Sequence, residues 1–177
     1  MQHNTDFNGD GLSDFIRQEK GTAVDGNRDV EVYLSKGNGI FNPGIPLIDA
    51  FAANGNVANL IVGDFNGDGL SDFIRQEKGT AVDGNRDVEV YLSKGNGIFN
   101  PGIPLIDAFA ANGNVANLIV GDFNGDGLSD FIRQEKGTAV DGNRDVEVYL
   151  SKGNGIFNSG IALIDAFAAN GNVANLI

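Results

Sequence analysis

The sequence predicts an all-β protein made of three copies of one four-stranded unit. Two observations carry that prediction. The segment DFNGDGLSDFIRQEKG begins at Asp6, Asp64 and Asp122, so the 177-residue chain repeats with a period of 58. Within each period, short apolar segments alternate with clusters of Gly, Asn and Asp, the pattern of strands separated by tight turns. The chain reads as a single repeat domain, 1–177, with repeats at 6–63, 64–121 and 122–177.

The elements are clearest in the continuous copy from Asn56 to Gly113. Ala58–Gly63 is a short apolar run, read as a first strand buried on both faces. An acidic, turn-rich loop, Asp64–Gly69, follows it. Asp72–Gln76 reads as the second strand, and Asp83–Arg86 as a turn. Val88–Ser93 alternates strictly, with Val88, Val90 and Leu92 on one face, so it reads as a half-buried third strand. Gly95-Asn96-Gly97 is a hairpin signal. Ile98–Ile106 reads as a fourth strand whose prolines, Pro101 and Pro104, cannot donate ladder hydrogen bonds and place it on a sheet edge. Asp107–Val115 is a connector that offers at most one helical turn.

Four-stranded units repeated radially make a β-propeller. A solenoid is the competing architecture, but its coils usually run to roughly 20–45 residues, shorter than this period. The first two copies are identical from Asp6 and Asp64 through Gly63 and Gly121. Three departures interrupt the repetition: Asn4-Thr5 stands where the other copies have Val-Gly, and Ser159 and Ala162 replace two prolines. Nothing in the sequence explains the last two. Natural repeats drift apart, so this near-identity points to deliberate design rather than recent duplication.

The frame of the repeat is shifted. The chain opens at the loop before a second strand and closes on a further first strand, 173–177. Asn4-Thr5-Asp6 supplies the register that would follow Ile177, which predicts a circularly permuted closure. Known propellers have roughly four to eight blades, so three would leave apolar faces open at both ends, and such faces drive association. The expectation is a homodimer forming one six-bladed ring, each C-terminal strand completing the other copy's first blade. A nine-bladed trimer is the alternative.

Charge narrows the function. With 24 acidic and 12 basic side chains the net charge is −12, which repels nucleic-acid backbones and anionic membranes. No run approaches the roughly 18 apolar residues of a membrane span, and Met1–Asp10 lacks the apolar core of a signal peptide. Without cysteine there is no disulfide, thiolate site or cysteine nucleophile. The acidic excess instead predicts a cation partner.

Its site is the spacing D-x-N-x-D-G-L-S-D. In the first copy, side-chain oxygens fall on Asp6, Asn8, Asp10 and Asp14, and Leu12 offers its carbonyl. The second set is Asp64, Asn66, Asp68, Leu70 and Asp72. The third is Asp122, Asn124, Asp126, Leu128 and Asp130. Oxygens at alternate positions of a Gly-hinged loop suit calcium, which takes 6–8 of them, better than magnesium with its octahedral demand. One calcium per repeat gives three per chain. The loop is no EF-hand, because Arg17 stands where that motif has Glu and the flanks read as strands. The competing reading is an Asp/Asn/Gly turn whose side chains cap its own backbone.

The acidic loop, the Asp-Phe-Ile strand, the Val-Tyr-Leu strand and the Gly-Asn-Gly-Ile-Phe turn together resemble FG-GAP/VCBS repeats, which build the integrin α-subunit propeller and some fungal lectins. The resemblance covers the whole chain. It implies calcium between the first and second strands of each blade, and a family that is largely extracellular. The blade count departs from natural members, which carry six or seven blades in one chain.

Other features have plainer readings. Asp25, Asn27 and Asp29, repeated at Asp83, Asn85, Asp87 and Asp141, Asn143, Asp145, read as polar hairpin turns. Glu19 and Glu31 suggest a glycosidase-like pair, but Arg17, Lys20 and Arg28 make solvent ion pairs the better reading. Tyr33, Tyr91 and Tyr149 suit stacking on a sugar or packing between blades. His3 reads as a terminal remnant. The expectation is a designed, self-assembling calcium-binding scaffold without catalytic activity. The alternative is a carbohydrate-binding lectin with sugar sites between its blades.

Overall fold

The computed structural model describes residues 5–18, 30–47, 59–76, 88–105, 117–134 and 146–163. They form eleven strands and, among the described residues, no helix. The first repeat supplies β1 (Phe15–Gln18), β2 (Val30–Tyr33) and β3 (Ile45–Pro46). The second supplies β4 (Asn59–Gly63), β5 (Asp72–Gln76), β6 (Val88–Tyr91) and β7 (Ile103–Pro104). The third supplies β8 (Asn117–Gly121), β9 (Asp130–Gln134), β10 (Val146–Tyr149) and β11 (Ile161–Ala162). Each repeat is an antiparallel meander, with sheet orders β1-β2-β3, β4-β5-β6-β7 and β8-β9-β10-β11. The expected turn, helical-turn and C-terminal strand segments at 83–86, 107–111 and 173–177 lie outside the described residues.

Local chemistry sets each element. At the hairpin, Gly95, Asn96 and Gly97 all take positive φ, at 77°, 56° and 73°, a conformation open to Gly and, among other residues, best tolerated by Asn. The following strand is shorter than the sequence implies. It reduces to a bridge, Ser93 opposite Phe99, and the two residues of β7. Pro104 lies opposite Glu89 on the outer edge, where a missing donor costs no ladder bond. Ala162 takes the same register opposite Glu147.

Two burial expectations need correction. The first strand is not buried on both faces: β4 is half-buried along its length, because it is the terminal strand of its sheet. The third strand is not half-buried: every residue of β6 and β10 is buried. For β6 the physical reason is the stacking of a sheet on each of its faces; β10 has the second repeat's sheet stacked on its aromatic face. Each sheet has an aliphatic face and an aromatic face. Ile16, Val30, Val32, Ile45 and Leu47 of the first repeat pack on Leu60, Val62, Phe73, Tyr91 and Phe99 of the second. Ile74, Val88, Val90 and Ile103 pack in the same way on Leu118, Val120, Phe131, Tyr149 and Phe157 of the third. The alternation Val-Glu-Val-Tyr therefore separates two interfaces rather than core from solvent.

The aromatic face also holds a buried polar network. Arg75 donates to Glu89 at 3.4 Å, and the Tyr91 hydroxyl donates to the same carboxylate oxygen at 2.7 Å. The third repeat repeats this with Arg133, Glu147 and Tyr149, at 3.3 and 2.7 Å. These are interior ion pairs, whereas their first-repeat counterpart, read from the sequence as a solvent pair, keeps the Arg17 side chain exposed over a buried Glu31; a charge excluded from water requires such partners. Tyr91 and Tyr149 pack between neighbouring sheets, while Tyr33 of the first repeat is half-buried. Gly102 makes room for the network: a Cβ there would stand 2.7 Å from Tyr91 Cζ and 3.0 Å from Glu89 Cδ.

Candidate metal centre

The acidic loops join the first and second strands of the second and third repeats and, in the first repeat, precede β1. In the second repeat, Asp64–Gly69 leaves β4 and turns through Gly67 and Gly69, with φ of 78° and 85°. In the first repeat, the N–H of Asp14 closes the loop on the Thr5 carbonyl at 2.6 Å.

Within that loop the side chains bind the backbone. Asp6 Oδ1 accepts the amides of Asn8, Gly9 and Asp10, at 3.3, 2.7 and 3.2 Å, and Oδ2 accepts that of Gly11 at 2.8 Å. Asp10 Oδ1 accepts the Leu12 amide at 2.8 Å, and Oδ2 accepts Asn8 Nδ2 at 3.0 Å. Asp64 with Asp68, and Asp122 with Asp126, repeat the pattern. The amides surrounding Asp122 hold its carboxyl below the usual carboxylate range. This is the self-capping geometry of an Asx-rich turn.

The ninth loop position differs from the others. Asp14, Asp72 and Asp130 are buried. Asp72 accepts the Phe65 amide at 2.9 Å with one oxygen and the Ser93 amide at 2.8 Å with the other. Asp14 and Asp130 bridge the corresponding amides, Phe7 and Ser35, and Phe123 and Ser151. This aspartate ties the loop to the end of the third strand. Burial pushes the Asp72 carboxyl up to about 7, against the pull of its two amide bonds, and Asp68 and Asp64 add repulsion. Asp14 is raised for the same reason, with Asp10 and Asp6 contributing.

The donor set fits calcium in kind. It consists of hard oxygens, most of them with a lone pair still unspent. In the first two loops the outer aspartates repel the buried one, Asp14 or Asp72, which a cation would relieve. The three aspartates of a loop are not gathered around a point: among the described residues no group of three His, Cys, Asp or Glu is placed to hold a metal. Asp6, Asn8, Asp10 and the Leu12 carbonyl, with Asp14 beneath, are the residues that would hold it, and likewise in the other loops.

Serines that the sequence reading passed over fasten the first two loops to the next repeat. The Asp6 amide donates to Ser71 Oγ at 2.9 Å, and the Ser71 amide returns to the Asp6 carbonyl at 2.7 Å. The Ser93 hydroxyl donates to the Phe7 carbonyl at 2.9 Å. Asp64 and Phe65 are held in the same way by Ser129 and Ser151. In a chain of near-identical copies every residue recurs, so recurrence could not single these serines out. Of the proposed carboxylate pair, Glu31 is buried and bonded to Arg17 and Tyr33, at 2.9 and 2.8 Å. Glu19, Lys20, Arg28, His3 and the acidic triplets at 25–29, 83–87 and 141–145 lie outside the described residues.

Comparison with known proteins places this geometry. No curated protein sequence matches the chain. Among solved structures it is similar to a lectin from the fungus Agrocybe aegerita that recognises non-reducing terminal N-acetylglucosamine. Identity is 24% and the TM-score 0.68 over 93% of this chain, which spans 38% of the lectin's length. The shared fold is the β-propeller, and at that identity the likeness concerns the fold alone. A family model for the FG-GAP-like repeat matches residues 6–74 and 80–132, taking in all three acidic loops. The chain belongs to the FG-GAP-like repeat family.

Proposed function

We propose that the chain is a designed, self-assembling, calcium-binding β-propeller scaffold without catalytic activity, two copies closing one six-bladed ring. A nine-bladed trimer is the alternative. One observation carries the calcium reading. In the first two loops the neighbouring aspartates add to the upward push of burial on the carboxyls of Asp14 and Asp72, a repulsion that bound cations would remove. Three divalent ions would cancel half of the net charge of −12 and stabilise the fold by mass action.

Native mass spectrometry with added calcium, repeated after chelation, tests the reading. The expected species is a dimer carrying six calcium ions, with melting lowered by chelation. A metal-free chain whose melting ignores EDTA would refute the calcium assignment.

A second reading, carbohydrate binding, rests on the likeness to the Agrocybe aegerita lectin. The class of ligand would be glycans ending in N-acetylglucosamine. Tyr91 and Tyr149 are packed between sheets and do not serve as stacking platforms in this reading. Titration of a terminal N-acetylglucosamine disaccharide against the assembled protein decides it: saturable binding at equivalent sites supports a lectin, and no heat or chemical-shift change removes it.

A further inference from the structure

We propose that the two ends of the three-sheet arc are the halves of one head-to-tail interface, and that each is occupied by a second copy of this chain. The inference rests on the ring reading and adds the residues and the direction of the contact. Its basis is that the chain makes the same interface twice internally, and the rims of its end repeats display the unused halves, while Val146 and Val148 at the centre of the third sheet are already buried.

The rings show this first. Phe7 packs edge-on to Phe99 of the next repeat at 5.4 Å, and Phe65 to Phe157 at 5.8 Å. Both are 0% exposed, whereas their counterpart Phe123 is 44% exposed. The counterpart of the receiving rings is Phe41, which is also exposed. The aliphatic contacts agree. Leu70 and Leu128 lie against Gly9 and Gly67 of the preceding loops, while nothing lies within 4 Å of a Cβ built on Gly125, and Leu12 is exposed. Ile45 and Ile103 fill the hollows over Gly97 and Gly155, while the hollow over Gly39 is open and Ile161 is exposed. The polar latches follow suit. Ser71 and Ser129 hold the preceding loops, and Ser13 is exposed.

Each unused group on the third repeat therefore matches one on the first: Phe123 with Phe41, Gly125 with Leu12, Ile161 with Gly39, and Asp122 with Ser13. Ordinary surface apolar residues show no such gradient, since Ile40, Ile98 and Ile156 are 58%, 54% and 52% exposed. Different patches meet, so the contact is heterologous, and closure depends on the rotation between copies. The third acidic loop gains its serine latches only from the second copy.

The test uses sedimentation velocity of the full chain and four variants, with circular dichroism to verify folding. Phe123→Glu blocks the aliphatic end and Phe41→Glu the aromatic end. Ile161→Glu is a second block of the aliphatic end, and Ile156→Glu is the control. The unaltered chain and the control should assemble alike. Each blocked variant should lose association by about thirtyfold or more, and an equal mixture of Phe123→Glu and Phe41→Glu should form a pair that grows no further. A dimer that survives both blocks overturns the inference and leaves the ring reading standing. So does assembly lost in Phe123→Glu but kept in Phe41→Glu, which would mean a face meeting its own kind. Open polymers abolished by either block would sustain the contact and remove the ring. A monomeric unaltered chain overturns both.

Discussion

Replacing Asp72 with Ala tests whether the ninth loop position is structural before it is anything else. Asp72 is 0% exposed and its two carboxylate oxygens accept the buried amides of Phe65 and Ser93, at 2.9 and 2.8 Å. Alanine leaves both donors without a partner. Each unsatisfied buried group costs about 1–3 kcal/mol, so the loss is about 2–6 kcal/mol, set against a typical domain stability of about 5–15 kcal/mol. Asn keeps one acceptor oxygen, so Asp72→Asn loses about half as much, about 1–3 kcal/mol. The assay is urea unfolding in EDTA at fixed protein concentration, since assembly shifts apparent stability. A residue acting only as a metal ligand would show its effect in calcium and none in EDTA. Unaltered stability of Asp72→Ala in EDTA refutes the reasoning.

The same residue sets a pH dependence for the metal-free protein. Its carboxyl is raised from 3.8 to about 7 in the folded chain, so between those values the folded state holds a proton that the unfolded state has released. Stability is then fully present below pH 3.8 and falls as pH rises through about 7. Asp72→Asn, which mimics the protonated side chain, should flatten that slope in a pH series of unfolding curves.

Further outcomes follow from contrasts between repeats. On a Phe41→Glu background, which keeps the chain monomeric, Phe65→Ala should cost about 3–5 kcal/mol and Phe123→Ala about 1 kcal/mol or less, read by chemical denaturation. Equal costs would contradict the exposures of 0% and 44%. Arg75→Ala should cost about 3–5 kcal/mol, because it strands Glu89 in the interior. Arg17→Ala should cost less than Arg75→Ala, because the Arg17 side chain is 45% exposed against 7% for Arg75, so water can take its place beside Glu31. The same denaturation series checks both. Gly102→Ala should cost about 1–3 kcal/mol by overpacking, read as a lowered melting temperature, because its Cβ would lie 2.7 Å from the Tyr91 ring.

Much of the fold was legible because the repeat isolates one unit and periodicity reads its strands. Ile74, Val88 and Val90 alternate with Phe73, Glu89 and Tyr91, and the antiparallel order follows from turns too short for crossovers. The acidic loop was legible as spacing. Its hydrogen bonds were not, because an aspartate that caps a turn and one that ligates a cation occupy the same positions in a sequence. The burial of Arg75 and Glu89, counterparts of the Arg17 and Glu31 read as a solvent pair, was not legible, since period two marks two faces but not what covers each.

The sequence by itself determined the number of repeats, the strand order, the edge position of the prolines and the clustering of oxygen donors. These follow from local sterics and from contacts within one period. Tertiary structure alone decided that both faces of the middle sheet are covered and that the ninth aspartate is interior. It also decided that identical residues differ by repeat. Phe7, Phe65 and Phe123 have the same neighbours in sequence, yet the first two are sealed by the sheet that follows and the third is exposed. Burial is a property of what stacks against a residue, and that is fixed by the neighbouring sheet rather than by the segment itself.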